Sequence, residues 1–525
     1  MQHNSTKNKK KSMRAPWSYG LILVSVYLVT GLIESGYHMM EDHEILFNHL
    51  LFKQVDLRDY AFRVWNESGN RLSRGLNVYL GIFSAMFGSR WWMWHSLVLT
   101  TLALALHQFQ LLGLKFGLSR YTSFLLPLML VIGTPTELMT RLATIESVSL
   151  LISGILLNRI AASKLGWKTL GFVLLLFFTK ESFVLLGPFI VMFAYFCETD
   201  LRTNLKSSLN KLRYFSGGVL VICLLFAAAF FVADTTNTEA DYVLGEPSAL
   251  LSNVISYFTH VYHQQWLSST PMPYLIILAA LCFSVYIRKQ GSLWFWIIVA
   301  IGSISIVVQV LLLSSVGYSG RYLIPSLIVL CVMFITGMSK LSGAPQRGVI
   351  SIALMVVFSF QGFWSKKMID EYVDSGRAIQ QLTNYVVDSC QAPGSVLLVG
   401  DPLLNIEMFD ALITYFAIRA EDMVLDVKIL PTEPDLERFS ELAEIYDSSA
   451  IERFKRGFQD HYEDRLVTNC LNPFQLVVVI GEQHGFENIC PSISSKETSF
   501  TVGKSWYLFN VVNTEHINLD KQKGL

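Results

Sequence analysis

The sequence predicts a polytopic α-helical membrane protein that carries a soluble α/β domain in its C-terminal third. Three observations predict it. The 525 residues are 52% hydrophobic and only 16% charged, against about 25% charged residues in typical soluble domains. Apolar segments recur from residue 17 to residue 363, with short basic clusters between them. After Phe363 the composition turns polar, and the apolar runs shrink to strand length. The formal net charge is zero, so bulk charge gives no reason to expect nucleic acid as a partner.

Residues 1–16 are basic, with Lys7, Lys9, Lys10, Lys11 and Arg14. The apolar run that follows, Trp17–Ile33, lacks a small-x-small cleavage site and is long enough to span, so it reads as an uncleaved first helix rather than a signal peptide. A spanning helix needs about 20 mostly apolar residues. Ten further segments qualify as cores: Trp94–Leu114, Tyr121–Ile132, Ser147–Ile160, Leu170–Phe178, Phe183–Phe196, Phe215–Val232, Tyr274–Ile287, Leu293–Leu313, Leu323–Ile335 and Val349–Phe363. The shorter ones must recruit flanking polar residues. Basic clusters fall at Lys7–Arg14, Lys115–Arg120, Arg159–Lys168, Arg202–Arg213, Arg288–Lys289 and Lys340–Arg347. Each precedes the first segment or lies between an even-numbered segment and the next. Eleven spans with a cytoplasmic N-terminus satisfy the positive-inside rule at every cluster. Gly75–Gly88 is too short to span and reads as a helix lying on the outer surface, inside a first outer loop covering 34–90. Lys168–Cys197 has basic clusters at both ends, so it reads as a hairpin with Thr179-Lys180-Glu181 at its tip.

The division expected is therefore a basic N-terminus (1–16), a membrane domain (17–364) and an extracytoplasmic domain (365–525). In the last, Ser395–Gly400, Met423–Leu430 and Phe474–Gly481 read as buried strands. Helical patterns cover Asn405–Arg419 and Asp435–Asp447, and Thr498–Val502 with Trp506–Val512 reads as a hairpin. Gly400 and Gly481 end strands, but no GxGxxG or Walker pattern accompanies them. The seven cysteines have no metal-ligand spacing. An outer location would allow one disulfide among Cys390, Cys470 and Cys490.

The polar residues sort by side on this map. Glu41, Asp42, His43 and Glu44 are four adjacent ionisable residues directly after the first apolar segment. Charge so close to hydrocarbon is costly unless it is used or paired. A carboxylate pair there is a candidate general base or metal site; the plain alternative is a solvated helix cap. The segment Thr134–Glu146 with Arg141, the Lys180-Glu181 tip and Ser314–Arg321 fall on the same outer side. Polar groups gathered on one face suit a catalytic cavity better than structural loops.

The order of these features resembles the GT-C superfamily of polytopic glycosyltransferases, in particular the bacterial relatives of protein mannosyltransferases and of the lipid A aminoarabinose transferase. The resemblance is carried by Glu41-Asp42 after the first span, Lys180-Glu181 in Phe-Phe-Thr-Lys-Glu-Ser, Arg321-Tyr322 in Gly-Tyr-Ser-Gly-Arg-Tyr-Leu-Ile-Pro, and a soluble domain after the last span. Each motif is short; their order and shared sidedness carry the weight. The usual acidic pair is Asp-Asp or Asp-Glu, and Glu-Asp here leaves open which carboxylate is the base.

The resemblance implies a multi-pass protein of a bacterial inner membrane that serves the cell envelope. It would transfer sugar, with inversion, from a polyprenyl-phosphate donor to a glycolipid, polysaccharide or protein acceptor. It implies Asp42 or Glu41 as the base, and Lys180, Arg321 and Arg141 as cations for the departing phosphate. Glu181 and Tyr322 would be their substrate-binding neighbours, and His43 would orient a carboxylate or substrate. It assigns no cofactor and no metal. Blander roles stand beside these: an internal pair from Lys180 to Glu181 or Glu146, an interfacial anchor at Arg321, and a snorkelling Arg141. A transporter or flippase of lipid-linked saccharide is the alternative in another class, but no inverted repeat is visible. An O-antigen polymerase or ligase would place its key arginines in a large late loop.

Overall fold

The computed structural model describes residues 15–37, 42–66, 75–200, 205–234, 272–313, 323–341, 344–390, 393–400, 406–420, 425–431, 462–467, 474–480, 497–502 and 507–513. Its helices are α1 (Ala15–Thr30), α2 (Asp42–Gln54), α3 (Leu57–Asn66), α4 (Gly75–Phe87), α5 (Trp91–Lys115), α6 (Arg120–Leu125), α7 (Glu146–Ala161) and α8 (Trp167–Thr179). They continue with α9 (Gly187–Asp200), α10 (Leu205–Asp234), α11 (Met272–Ile287), α12 (Leu293–Leu313), α13 (Ile324–Lys340), α14 (Ala344–Ser389) and α15 (Ile406–Ala420). The strands are β1 (Gly394–Gly400), β2 (Leu425–Pro431), β3 (Leu476–Ile480), β4 (Glu497–Val502) and β5 (Tyr507–Asn513).

Among the described residues, three helical stretches are long and apolar enough to cross a membrane: Trp91–Lys115, Leu209–Ala228 in α10 and Pro345–Ser389 in α14. Shorter apolar helices include α1, α4, α8, α11 and α13. With a mean hydropathy of +0.42, these make the chain an integral membrane protein. All eleven apolar segments read from the sequence fall on helix. The third is irregular: α6 passes at Leu126 into a 3₁₀ helix, Leu126–Leu130, with Pro127 in its first turn.

Contacts divide the chain into two units. The first comprises residues 1–30, 58–82 and 92–369. At its core is α13, whose residues from Ile324 to Met338 are all buried, as expected of a helix apolar on every side. It packs against α11 and α12. Polar side chains link helices in this interior. Tyr19 donates to the Phe124 carbonyl at 2.9 Å. The Gly133 amide and the Thr136 hydroxyl donate to Ser365 Oγ at 2.8 and 2.7 Å. Lys115 donates to the Asn158 carbonyl at 2.8 Å. Such pairing is required where no water can satisfy a polar group.

The helix expected over Gly75–Gly88 forms as α4, and one side of it is covered by protein. Tyr79, Leu80 and Ser84 are buried, and the helix begins hard against the end of α8. A Cβ at Gly75 would stand 2.5 Å from the Phe178 carbonyl oxygen, so only glycine permits this approach. The break at Lys180 is as read: α8 ends at Thr179, Lys180 is extended, and a 3₁₀ helix, Glu181–Leu186, leads into α9.

The second unit comprises residues 31–57, 83–91 and 370–525. Its sheet has the order β2-β1-β3-β5-β4. β1 runs parallel to β2 and β3, while β5 pairs antiparallel with β3 and β4. Side chains alternate across the pleat. Val396, Leu398, Val427, Ile429, Leu476 and Val478 face Phe409, Leu412 and Phe416 of α15 and Leu382 and Val386 of α14. Leu397, Val399, Leu430, Val477 and Val479 cluster separately with Phe474. The central strands β1 and β3 are thus buried on both faces, which explains their apolar runs, while β2 lies at the sheet edge and carries the more exposed Asp426 and Lys428. Of the outer loop expected over 34–90, residues 34–57 and 83–90 group with this sheet. Leu46 of α2 belongs to its core, and α2 packs on α15. The helix read at Asp435–Asp447, and Cys470 and Cys490, lie outside the described residues; Cys390 is buried.

Candidate functional site

Asp42 is the first residue of α2. A carboxylate there suits the positive end of the helix dipole. The approach to it is fixed by two glycine contacts within the second unit. Gly36 has φ +69°, and the Gln380 side chain fills the place a Cβ would take. Gly376 on α14 lies so close to the Ser35 carbonyl that a Cβ there would meet that oxygen at 2.1 Å. Residues 31–37 are thereby laid directly on the second part of α14. Ser35 turns the chain with a hydrogen bond from Oγ to the Leu32 carbonyl, 2.8 Å.

The Asp42 side chain is fully buried, at 0% exposure. This decides against a solvated helix cap. Tyr372 of α14, also buried, donates its hydroxyl to Asp42 Oδ2 at 3.1 Å. Two further phenols register the same carboxylate. Burial, and secondarily the Asp42 charge, push the Tyr37 phenol well above its ordinary range. Burial, then Asp42, then Tyr37 do the same to Tyr415 of α15. His43 is buried beside Asp42 in the sequence. Glu34 is instead exposed and pairs with Arg377 at 3.3 Å, a surface pair of little energetic weight. The arrangement is a carboxylate inside a cage of phenols. It can hold a negative charge and accept a proton in a place from which bulk water is shut out.

The first unit carries a second buried carboxylate. Glu146, in the first turn of α7, is 3% exposed in its side chain and meets Lys180 Nζ at 2.5 Å. The joint that carries Lys180 is tied down next to the pair, where Ser149 donates to Thr179 Oγ1 at 2.8 Å. Burial, and secondarily the Glu146 charge, raise the Tyr79 phenol of α4. Of the internal pairs named for Lys180 from sequence, the structure makes the one with Glu146. Arg141 sits 4.0 Å from Glu137, one turn earlier. Glu41, Arg321 and Tyr322 lie outside the described residues, as does the side chain of Glu181. Among the described residues, no three His, Cys, Asp or Glu side chains converge as a metal centre.

Sequence reasoning missed Tyr372, Tyr37 and Tyr415. Tyr372 lies 330 residues from Asp42. The available signal was the helical pattern continuing past Phe363, which puts Tyr372, Gly376 and Ile379 on one face at i, i+4 and i+7 spacing.

The fold and these residues define an integral membrane protein with buried carboxylates in each of its two units. No protein-family model matches the chain, and no curated protein matches it. Among solved structures, the crystal structure of ArnT from Cupriavidus metallidurans bound to undecaprenyl phosphate matches over 95% of this chain and 98% of that one, at 12% identity and a TM-score of 0.48.

Proposed function

We propose that the chain is an inverting glycosyltransferase that moves a sugar from a polyprenyl-phosphate donor to an acceptor outside the cytoplasm. The observation that carries the reading is Asp42: a buried carboxylate at a helix start, oriented by the Tyr372 hydroxyl. In the proposed step the acceptor hydroxyl oxygen bonds to the anomeric carbon as the bond from that carbon to the phosphate oxygen breaks. The electron pair leaves with the lipid phosphate, and the hydroxyl proton passes to the carboxylate. Exclusion of water protects the donor from hydrolysis. Glu41 is the alternative base in the adjacent position.

The leaving phosphate gathers negative charge and needs a cation. Lys180, Arg141 and Arg321 are the candidates. Lys180 already serves Glu146, but an ammonium has three donors, so one pair does not exhaust it. The reaction proposed needs no dissociable cofactor, because the donor brings its own leaving group. Eleven spans, with the N-terminus cytoplasmic and residues 365–525 outside, complete the proposal.

The test is chemical. Lipid extracts of cells lacking the protein should accumulate a polyprenyl-phosphate sugar. The parent chain should clear it and the Asp42→Asn chain should not. Unchanged lipid-linked sugars in the absence of the protein would overturn the reading.

A further inference from the structure

The helix α3 has a surface that neither the sheet nor the proposed chemistry uses. At 100° per residue it divides into three sectors. Tyr60 and Val64 form the first and are buried. Tyr60 donates its hydroxyl to the Gly81 carbonyl at 2.9 Å, and a Cβ at Gly81 would stand 2.7 Å from Val64 Cγ1. The helix is therefore seated tightly on α4. The second sector holds Leu57, Ala61, Trp65 and Phe62, with Arg58 among them. Leu57 is 71% exposed, Phe62 67% and Trp65 48%. The third sector, Asp59 and Arg63, is polar. A cleft of about 590 Å³ opens here, lined by Arg58, Asp59, Ala61, Phe62 and Trp65. Neither Arg58 nor Arg63 has an ion-pair partner among the described residues.

We infer that α3 lies in a lipid surface, with Leu57, Phe62 and Trp65 among acyl chains and Arg58 on the phosphate of an anionic headgroup. Three observations favour lipid over protein as the occupant. The helix stands in the sequence between two apolar helices, α1 and α5, and the second is long enough to cross a bilayer. Trp65, in the middle of the apolar sector, is a residue type that concentrates at membrane interfaces. An arginine within an apolar arc gives charge complementarity to a phosphate while its stem lies along the acyl boundary.

The experiment uses the full chain in nanodiscs of phosphatidylethanolamine and phosphatidylglycerol. The photoreactive residue p-benzoyl-phenylalanine is placed singly at Phe62, Trp65, Asp59 and Arg63, and adducts are read by mass spectrometry. Phe62 and Trp65 should give several-fold more lipid adducts than Asp59 and Arg63. At Phe62, Arg58→Gln should lower the phosphatidylglycerol share to its share of the bilayer. All positions are exposed, and each variant is checked for an unchanged elution profile. Equal lipid labelling at all four positions, or adducts at Phe62 to a second copy of the chain, would overturn the lipid assignment. A phosphatidylglycerol share unmoved by Arg58→Gln would overturn the headgroup contact.

Discussion

The two buried carboxylates make the informative comparison. Asp42 receives a hydrogen bond from a phenol, and Glu146 meets an ammonium. Both stand near further phenols that burial holds protonated. A phenol is neutral: it orients a carboxylate and stabilises its charge without cancelling it. An ammonium cancels the charge, and the pair becomes costly to separate. The first arrangement suits a group that must take up a proton, the second a group that must hold a cation in place. Similar chemistry thus serves two ends, set by the partner rather than by the acid.

Four variants break or sharpen this contrast. The largest effect is expected from Asp42→Asn, which keeps the volume and cannot accept the acceptor proton. Transfer should fall by a factor on the order of 10²–10⁴, measured as saccharide product from reconstituted protein, with donor lipid still bound. Near-parent rates for this variant, for Glu41→Gln and for the double variant would end the proposal.

Lys180→Met should come next, and its effect is on stability. Leaving Glu146 buried without its ammonium should cost about 3–5 kcal/mol, seen as a fall in the thermal midpoint of the purified protein. Adding Glu146→Gln should restore much of the loss. If the double variant is stable yet still uses donor poorly, Lys180 also serves the phosphate; if it transfers at the parent rate, the lysine is structural.

Tyr372→Phe removes one hydrogen bond to a charged group, worth about 1.5–3 kcal/mol. The donor favours the ionised carboxylate, so its loss raises the carboxylate pKa. The acidic limb of the pH–rate profile should move to higher pH. A rate loss without that movement would mean that Tyr372 only packs.

The smallest effect is expected from Gly75→Ala, about 1–3 kcal/mol of overpacking. Its Cβ would press on the Phe178 carbonyl, two residues before Lys180. Thermal unfolding gives the size, and parent stability would show that the joint yields.

Much of the architecture was legible in the sequence, for a physical reason. Long apolar runs favour helix, because a helix satisfies its own backbone groups, and all eleven segments fall on helix. Strands buried on both faces must be apolar, so β1 and β3 appeared within a residue or two of their ends, and the edge strand β2 did so through Val427, Ile429 and Leu430. The joint at Lys180 was readable because two charges interrupt an apolar stretch. What stayed hidden was long-range. Nothing local tells that residues 31–57 join the sheet of the C-terminal third, because the evidence is steric: the Ser35 carbonyl fits only against Gly376. The pairing of Lys180 with Glu146 depended on where α7 begins. Asp42 could be singled out by its neighbours, but its phenols could not.

The 330 residues between Asp42 and Tyr372 also set a clock. At about 5–20 residues per second of synthesis, Asp42 emerges tens of seconds before the helix that will enclose it. Through that interval it is an unenclosed acid beside an apolar helix, and the Leu46 pocket does not yet exist. The chain therefore cannot acquire the proposed base early; any such activity must appear late and all at once, and a ribosome that stalls before Tyr372 leaves an inert product.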